Sequence, residues 1–137
     1  MAYWLLKSEP SSYSWDQLVA DGSTNWNGVR NAQAQNNLRA MKPGDRAFFY
    51  HSNEGKEIVG VAEVVKGFYP DPTDQSGKLG MVDLKPVTPV AAKVGLPAMR
   101  ANPELSGLSL LRQSRLSVCP VSAGEWTVIC GMAGIPA

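Results

Sequence analysis

The run from Ile58 to Tyr69 constrains the fold more than any other part of this sequence. Val59, Val61, Glu63 and Val65 alternate with Gly60, Ala62, Val64 and Lys66, so one face of a predicted strand carries mostly branched residues and the other mostly small ones. A long, bent strand of this kind suits a closed barrel. A second predicted strand precedes it, from Asp45 to His51, with Ala47-Phe48-Phe49-Tyr50 at its centre. Ser52-Asn53-Glu54-Gly55-Lys56 between them is turn chemistry, which makes the two an antiparallel hairpin.

The flanking segments place shorter elements. Tyr3-Trp4-Leu5-Leu6-Lys7 reads as a buried strand that Pro10 ends. Ser14 and Gln17 have the spacing of a capping box for a helix from Trp15 to Ala20, with Gly22 as its stop. Residues 23–28 read as a loop carrying one exposed-type aromatic, Trp26. Ala34, Leu38 and Met41 mark a second helix, capped by Asn31 and ended at Pro43-Gly44. Met81 to Val87 is a strand that Pro86 and Pro89 put at an edge or bring to an early end. Residues 94–102 and 103–108 are short helical pieces. Val118 to Val121 is a last strand, and a Ser122/Glu125 capping box opens a closing helix to about Cys130. Clustered strands without strict strand–helix alternation predict an α+β fold with a mostly antiparallel, barrel-like sheet and short flanking helices.

Composition narrows the function classes. At 137 residues and 44% hydrophobic, with no repeat or linker, the chain is read as one domain over 1–137. Thirteen Lys and Arg balance twelve Asp and Glu, so any contact with phosphate must come from a local patch. No apolar run is long enough to span a bilayer, and no cationic segment precedes Tyr3-Trp4; the expectation is a cytoplasmic protein, a monomer without membrane contact. Cys119 and Cys130 fit neither zinc nor CxxC spacing and are expected to be free, buried thiols, and no metal or cofactor is expected. His51 is the only histidine, and the signatures of hydrolases, nucleotide-binding loops and zinc peptidases are missing. Enzymatic activity is therefore not the expected role. Glu9, Asp45 and Glu63 are unpaired by spacing and read as capping groups or solvated charges.

Charge and aromatic groups concentrate locally. Residues 24–53 carry a net +3 and residues 100–118 a net +2, against −3 for residues 54–83. The segment from Thr24 to Asn31 combines the Trp26 indole, a glycine that allows close backbone approach, the Arg30 guanidinium and the Asn31 amide. A flat heterocycle is read with this inventory: an aromatic face for stacking and directional groups for its edges. Arg112-Gln113-Ser114-Arg115 adds two guanidinium forks and another amide, while Lys7-Ser8-Glu9 and Tyr50-His51-Ser52 put polar groups at strand ends.

Tyr3-Trp4-Leu5-Leu6-Lys7-Ser8-Glu9-Pro10, Trp26-Asn27-Gly28-Val29-Arg30-Asn31, Phe49-Tyr50-His51-Ser52-Asn53, Gly60-Val61-Ala62-Glu63-Val64-Val65 and Arg112-Gln113-Ser114-Arg115-Leu116-Ser117-Val118 together closely resemble the EVE domain family, in order and over nearly the whole chain. The resemblance implies a PUA-like β-barrel related to PUA, ASCH and YTH domains, and a non-enzymatic module that reads a modified or flipped nucleobase in modified DNA or in RNA. Carried over by position, it implies base contacts from Ser8, Trp26, Asn31, Tyr50, Ser52, Gln113 and Ser114. It further implies that Lys7, Arg30, His51 and Arg115 meet phosphate or orient the pocket. Two other classes stay open: a small hydrolase of modified nucleosides, using Lys7 or Glu9 beside Tyr50, and a protein-interaction adaptor with an exposed apolar patch.

Overall fold

The computed structural model describes all residues from Met1 to Ala137. Strands β1 (Tyr3–Ser8), β2 (Thr24–Trp26), β3 (Arg46–His51), β4 (Glu57–Pro70), β5 (Gly80–Gly95) and β6 (Val118–Val121) form one mixed sheet in the order β2-β5-β4-β3-β1-β6. Five helices accompany it: α1 (Trp15–Asp21), α2 (Ala32–Ala40), α3 (Leu96–Ala101), α4 (Ser109–Arg112) and α5 (Ala123–Ala133), with a 3₁₀ turn over Pro103–Leu105. The α+β class holds. The expected closed barrel does not: β2 and β6 lie at opposite ends of the ladder, so the sheet is open. Closure needs hydrogen bonds between first and last strands, and alternation along a single strand carries no information about them.

The predicted hairpin is β3 and β4, antiparallel with Arg46 opposite Glu63. Register shifts interrupt β4 and β5, the bends expected of a long strand. β5 runs well past the predicted Val87. Beyond Leu84 it has β4 on one side and no partner on the other, because β2 pairs only with Val82–Leu84. Pro86 and Pro89 lie in this half-free stretch, where a missing N–H costs nothing. The loop expected at 23–28 contains β2 instead, a polar three-residue strand with no periodicity to reveal it.

Helix ends follow the local chemistry. The Asn31 side chain accepts from the Ala34 N–H at 2.9 Å. Ser122 and Glu125 complete a reciprocal capping box, and α5 runs three residues beyond the expected Cys130. At α1 only half the expected box forms: Ser14 accepts from the Gln17 N–H at 3.1 Å, while the Gln17 amide turns forward to Asp21. Asp45 is buried and accepts from Ala2 N, Trp4 Nε1 and Lys42 N, and Glu63 pairs with Arg46 and Lys85. Both carboxylates are thus structural.

The core packs on both faces of the sheet. Trp126 of α5 stacks on Tyr3 and Phe48, with ring centroids 4.4 and 3.9 Å apart. Trp15 of α1 lies over Gly60, where an added Cβ would stand 2.6 Å from the indole. The glycine thus makes room on β4 for the indole. Cys119 and Cys130 are free and buried. No helix is long and apolar enough to cross a membrane.

Candidate functional site

β1 and β3 are parallel, with Lys7 opposite Tyr50 and Ser8 opposite His51. Their C-terminal ends therefore deliver Lys7-Ser8-Glu9 and Tyr50-His51-Ser52 to the same edge of the molecule. Antiparallel pairing would have sent them to opposite ends.

A cleft of about 410 Å³ opens beside β1 and β2. Its volume lies in the range of small-molecule sites. Lys7, Ser8 and Glu9 form one wall, Tyr13 and Trp26 contribute rings, and residues 27–30 close the far side. Trp26 does not stand out from the surface as expected. It is 9% exposed and meets the rings of Tyr13 and Phe49 edge-to-face, at 6.4 and 5.7 Å between centroids. The indole belongs to the core and to the cleft wall together. The Ser8 hydroxyl donates to the Tyr13 carbonyl at 2.5 Å, leaving its oxygen free to accept.

Two buried polar side chains that sequence reasoning missed hold the far wall. Asp71 accepts from the Gly28 N–H at 3.0 Å and from Thr73 N and Oγ1 at 2.8 and 2.6 Å. These bonds, led by that from Gly28, keep its carboxyl below the usual range. Gln35 donates to the carbonyls of Val29 and Gly80 and accepts from the Gly80 N–H. Gly28 itself has φ +73°, a backbone conformation that a side chain would strain. The only sequence signal for Asp71 was its place in the Pro70-Asp71-Pro72 turn, and long-range use of a turn carboxylate leaves no periodicity.

A second depression, about 250 Å³, gathers Lys7, Tyr50, Ser52, Lys56, Arg100 and Ser114. A third, about 300 Å³, gathers Asn31, Arg112, Gln113, Ser114 and Arg115. The eleven residues expected in one pocket are thus split. Lys7, Ser8, Trp26 and Arg30 line the first cleft; Lys7, Tyr50, Ser52 and Ser114 the second; Asn31, Gln113, Ser114 and Arg115 the third. His51 lines none. Its Nε2 accepts from the Trp15 N–H at 3.0 Å, and burial, followed by the Lys93 charge, lowers its pKa below 6.5. That bond commits one ring nitrogen to holding the start of α1.

Lys7 is half-buried, and this burial lowers its pKa from 10.5. Its ammonium donates to the Ser114 carbonyl at 2.8 Å. Burial raises Tyr50 in turn. No three His, Cys, Asp or Glu side chains come together as a metal cluster would require. The three depressions hold six cations, Lys7, Arg30, Lys56, Arg100, Arg112 and Arg115, and one carboxylate, Glu9. The ion pairs of the protein are made by Arg46, Lys85 and Lys93, outside this group.

A family model described as the EVE domain matches residues 2–132. The chain belongs to the EVE domain family. A Rhodopseudomonas palustris protein solved by NMR is 55% identical to this EVE domain, with a TM-score of 0.94 over 98% of this chain and 94% of that one. Human thymocyte nuclear protein 1 is 32% identical over 96% of this chain and 73% of its own. Its structure in complex with DNA containing 5-methylcytosine is 30% identical here, with a TM-score of 0.91 over the whole of both chains. A YTH domain of Zygosaccharomyces rouxii, 14% identical over 96% of this chain and 85% of that one with a TM-score of 0.60, shares the fold alone.

Proposed function

We propose that this EVE domain binds one modified or flipped nucleobase of a DNA or RNA strand in the cleft beside Trp26, without catalysing a reaction. The observation that carries the reading is the cleft itself, which the Trp26 ring, Ser8 and the polar residues 24–28 line together, in walls pinned by Asp71 and Gln35. The complex of the human relative with 5-methylcytosine DNA supports it. Extruding a base costs a few kcal/mol, least where the base is modified or unpaired. A preformed pocket offsets this because it loses little freedom on binding. Trp26 is nine-tenths covered, so a base rests on only part of the ring. Selectivity then comes from edge contacts and fit more than from an open stacking platform.

Titration of nucleosides and short oligonucleotides, cytosine against 5-methylcytosine among others, tests the reading by chemical shifts. Shifts are expected at Ser8, Trp26 and Gly28, with tighter binding of a modified base. Trp26→Phe keeps an aromatic ring and removes the N–H, so it is expected to weaken binding, and a thermal melt measures the packing lost with the smaller ring. If no modified base moves those resonances, the reading is wrong.

A second reading, hydrolysis of a modified nucleoside, has Lys7 in its favour, a half-buried amine of lowered pKa with Tyr50 as its register partner. Product release from a panel of modified nucleosides, abolished by Lys7→Ala, would establish it.

A further inference from the structure

Three depressions meet around one contact. The first and second share Lys7, the second and third share Ser114, and the third adjoins the first through the chain neighbours Arg30-Asn31 and Leu116-Ser117. Lys7 and Ser114 are themselves hydrogen-bonded. Besides Lys7, the second and third depressions contain Lys56 with Arg100 and Arg112 with Arg115, and neither contains an Asp or Glu. None of these four cations is in an ion pair.

A protein of net charge +1 has acids enough to neutralise four exposed cations. Glu57 and Glu63 are instead drawn to Lys93, Arg46 and Lys85, Asp71 accepts from the Gly28 and Thr73 N–H groups, and Asp74 accepts from backbone N–H groups of its own turn. Two carboxylate-free basic depressions thus stand on either side of a bridge next to the first cleft, whose lining alone includes a carboxylate, Glu9.

We infer that the second and third depressions seat the sugar-phosphate backbone on the two sides of the bound nucleotide, Lys56 and Arg100 on one side and Arg112 and Arg115 on the other. The inference rests on the base-binding reading and adds a division of labour: the first cleft selects the base, and the other two hold the strand without reading sequence. Tyr50, Ser52, Gln113 and Ser114 are accordingly backbone contacts, hydroxyl and amide partners for phosphate and sugar oxygens. The arrangement explains why polar residues of four separate segments surround a cleft that only some of them enter.

Salt dependence is the direct readout, since each neutralised phosphate contributes a slope of about −0.7 for a single strand or −0.9 for a duplex to log K against log salt. The probes are a 5-methylcytosine oligonucleotide, its unmodified counterpart and free 5-methyl-deoxycytidine, titrated over a potassium chloride series. Lys56→Gln/Arg100→Gln and Arg112→Gln/Arg115→Gln are each expected to reduce the slope by about 1.4 to 1.8. Both oligonucleotides should weaken by the same factor, and free nucleoside binding should not change. Lys42→Gln, an exposed cation outside all three depressions, should leave the slope as it is. Because Arg112 also donates to the Ser106 carbonyl at 3.3 Å, thermal melts accompany that pair, and the Lys56/Arg100 pair stands as the independent arm. Unchanged slopes in both double variants, or an equal change in Lys42→Gln, overturn the inference while leaving base recognition intact. Reduced slopes without preference between the two oligonucleotides uphold the track and overturn base recognition. No binding of either oligonucleotide by the unaltered protein overturns both.

Discussion

The Lys7 ammonium donates to the carbonyl of Ser114, 107 residues away, at 2.8 Å. This bond ties the end of β1 to the segment after α4 and stands where the three depressions meet. Lys7 emerges on the sheet face that carries Leu5 and Tyr3, above Cys119, and burial there lowers its pKa from 10.5 while the nearby thiol pulls it back up.

Lys7 is accordingly expected to lose its charge at a lower pH than an exposed lysine. Affinity for a strand of adenine and cytosine, bases that do not titrate on the alkaline side, should fall as pH rises toward 10.5, because the neutral amine no longer attracts phosphate. Lys7→Arg should remove that decline within the range where the fold holds, since a guanidinium keeps its proton. Fluorescence titrations over an alkaline pH series check this; equal declines in both proteins would exclude Lys7 as the titrating contact.

Asp71 and Gly28 form the second relationship with consequences. Asp71→Ala leaves the Gly28 N–H without its partner and is expected to cost on the order of 3 kcal/mol of stability, with Asp71→Asn costing less because an amide oxygen still accepts. Gly28→Ala meets no atom within 4 Å, so its cost is the strain of φ +73° alone, about 1 to 2 kcal/mol. The Asp71 carboxyl is held below 3.8, so its contribution is complete above that pH and is lost as pH falls through the lowered value. Urea unfolding of Asp71→Asn beside the unaltered protein checks this: the stability difference between the two should stay constant from neutral pH down to about 3.8 and shrink below it, while both proteins share the earlier loss that the lowered His51 pKa brings below 6.5.

Cys119 sets the alkaline limit. Its thiol is fully buried and donates to the Leu116 carbonyl at 3.2 Å, and burial pushes its pKa from 9.0 up to about 11. The folded state therefore keeps a proton that the unfolded chain releases, and this contribution is present below pH 9 and lost as pH rises toward 11. Two pKa units correspond to about 3 kcal/mol. Tyr69, raised to about 12 by burial and its bond to Asp83, adds to the loss at the upper end. Cys119→Val should flatten the fall in unfolding free energy above pH 9 under reducing conditions; an unchanged fall would assign it to other groups.

Much of the fold was legible because its signals are local. The hairpin of β3 and β4 shows in alternation, and Asn31 and Ser122 show in capping chemistry that depends on residues three positions away. β2 did not show, since Thr24-Asn25-Trp26 is a strand only by virtue of Leu84, Asp83 and Val82 opposite it. The full length of β5 was hidden by prolines whose cost vanishes on a half-free edge.

For the site, the residue types were readable and their grouping was not. The segments around Lys7, Trp26, Tyr50 and Gln113 do converge, because the parallel register of β1 and β3 brings the first and third to one edge. Asn31 was expected at a base edge, yet its amide oxygen is committed to Ala34, and it lines the third depression with Gln113 and Arg115.

The sequence by itself determined the α+β class, the capped helices, the buried thiols and the inventory of rings, amides and cations, since each follows from neighbours along the chain. Tertiary structure alone decided that the sheet stays open, that His51 is spent on Trp15, that Asp71 braces Gly28, and that Lys7 divides one expected pocket into three. Those outcomes depend on strand order and on contacts between residues tens of positions apart, and an unfolded chain holds no trace of either.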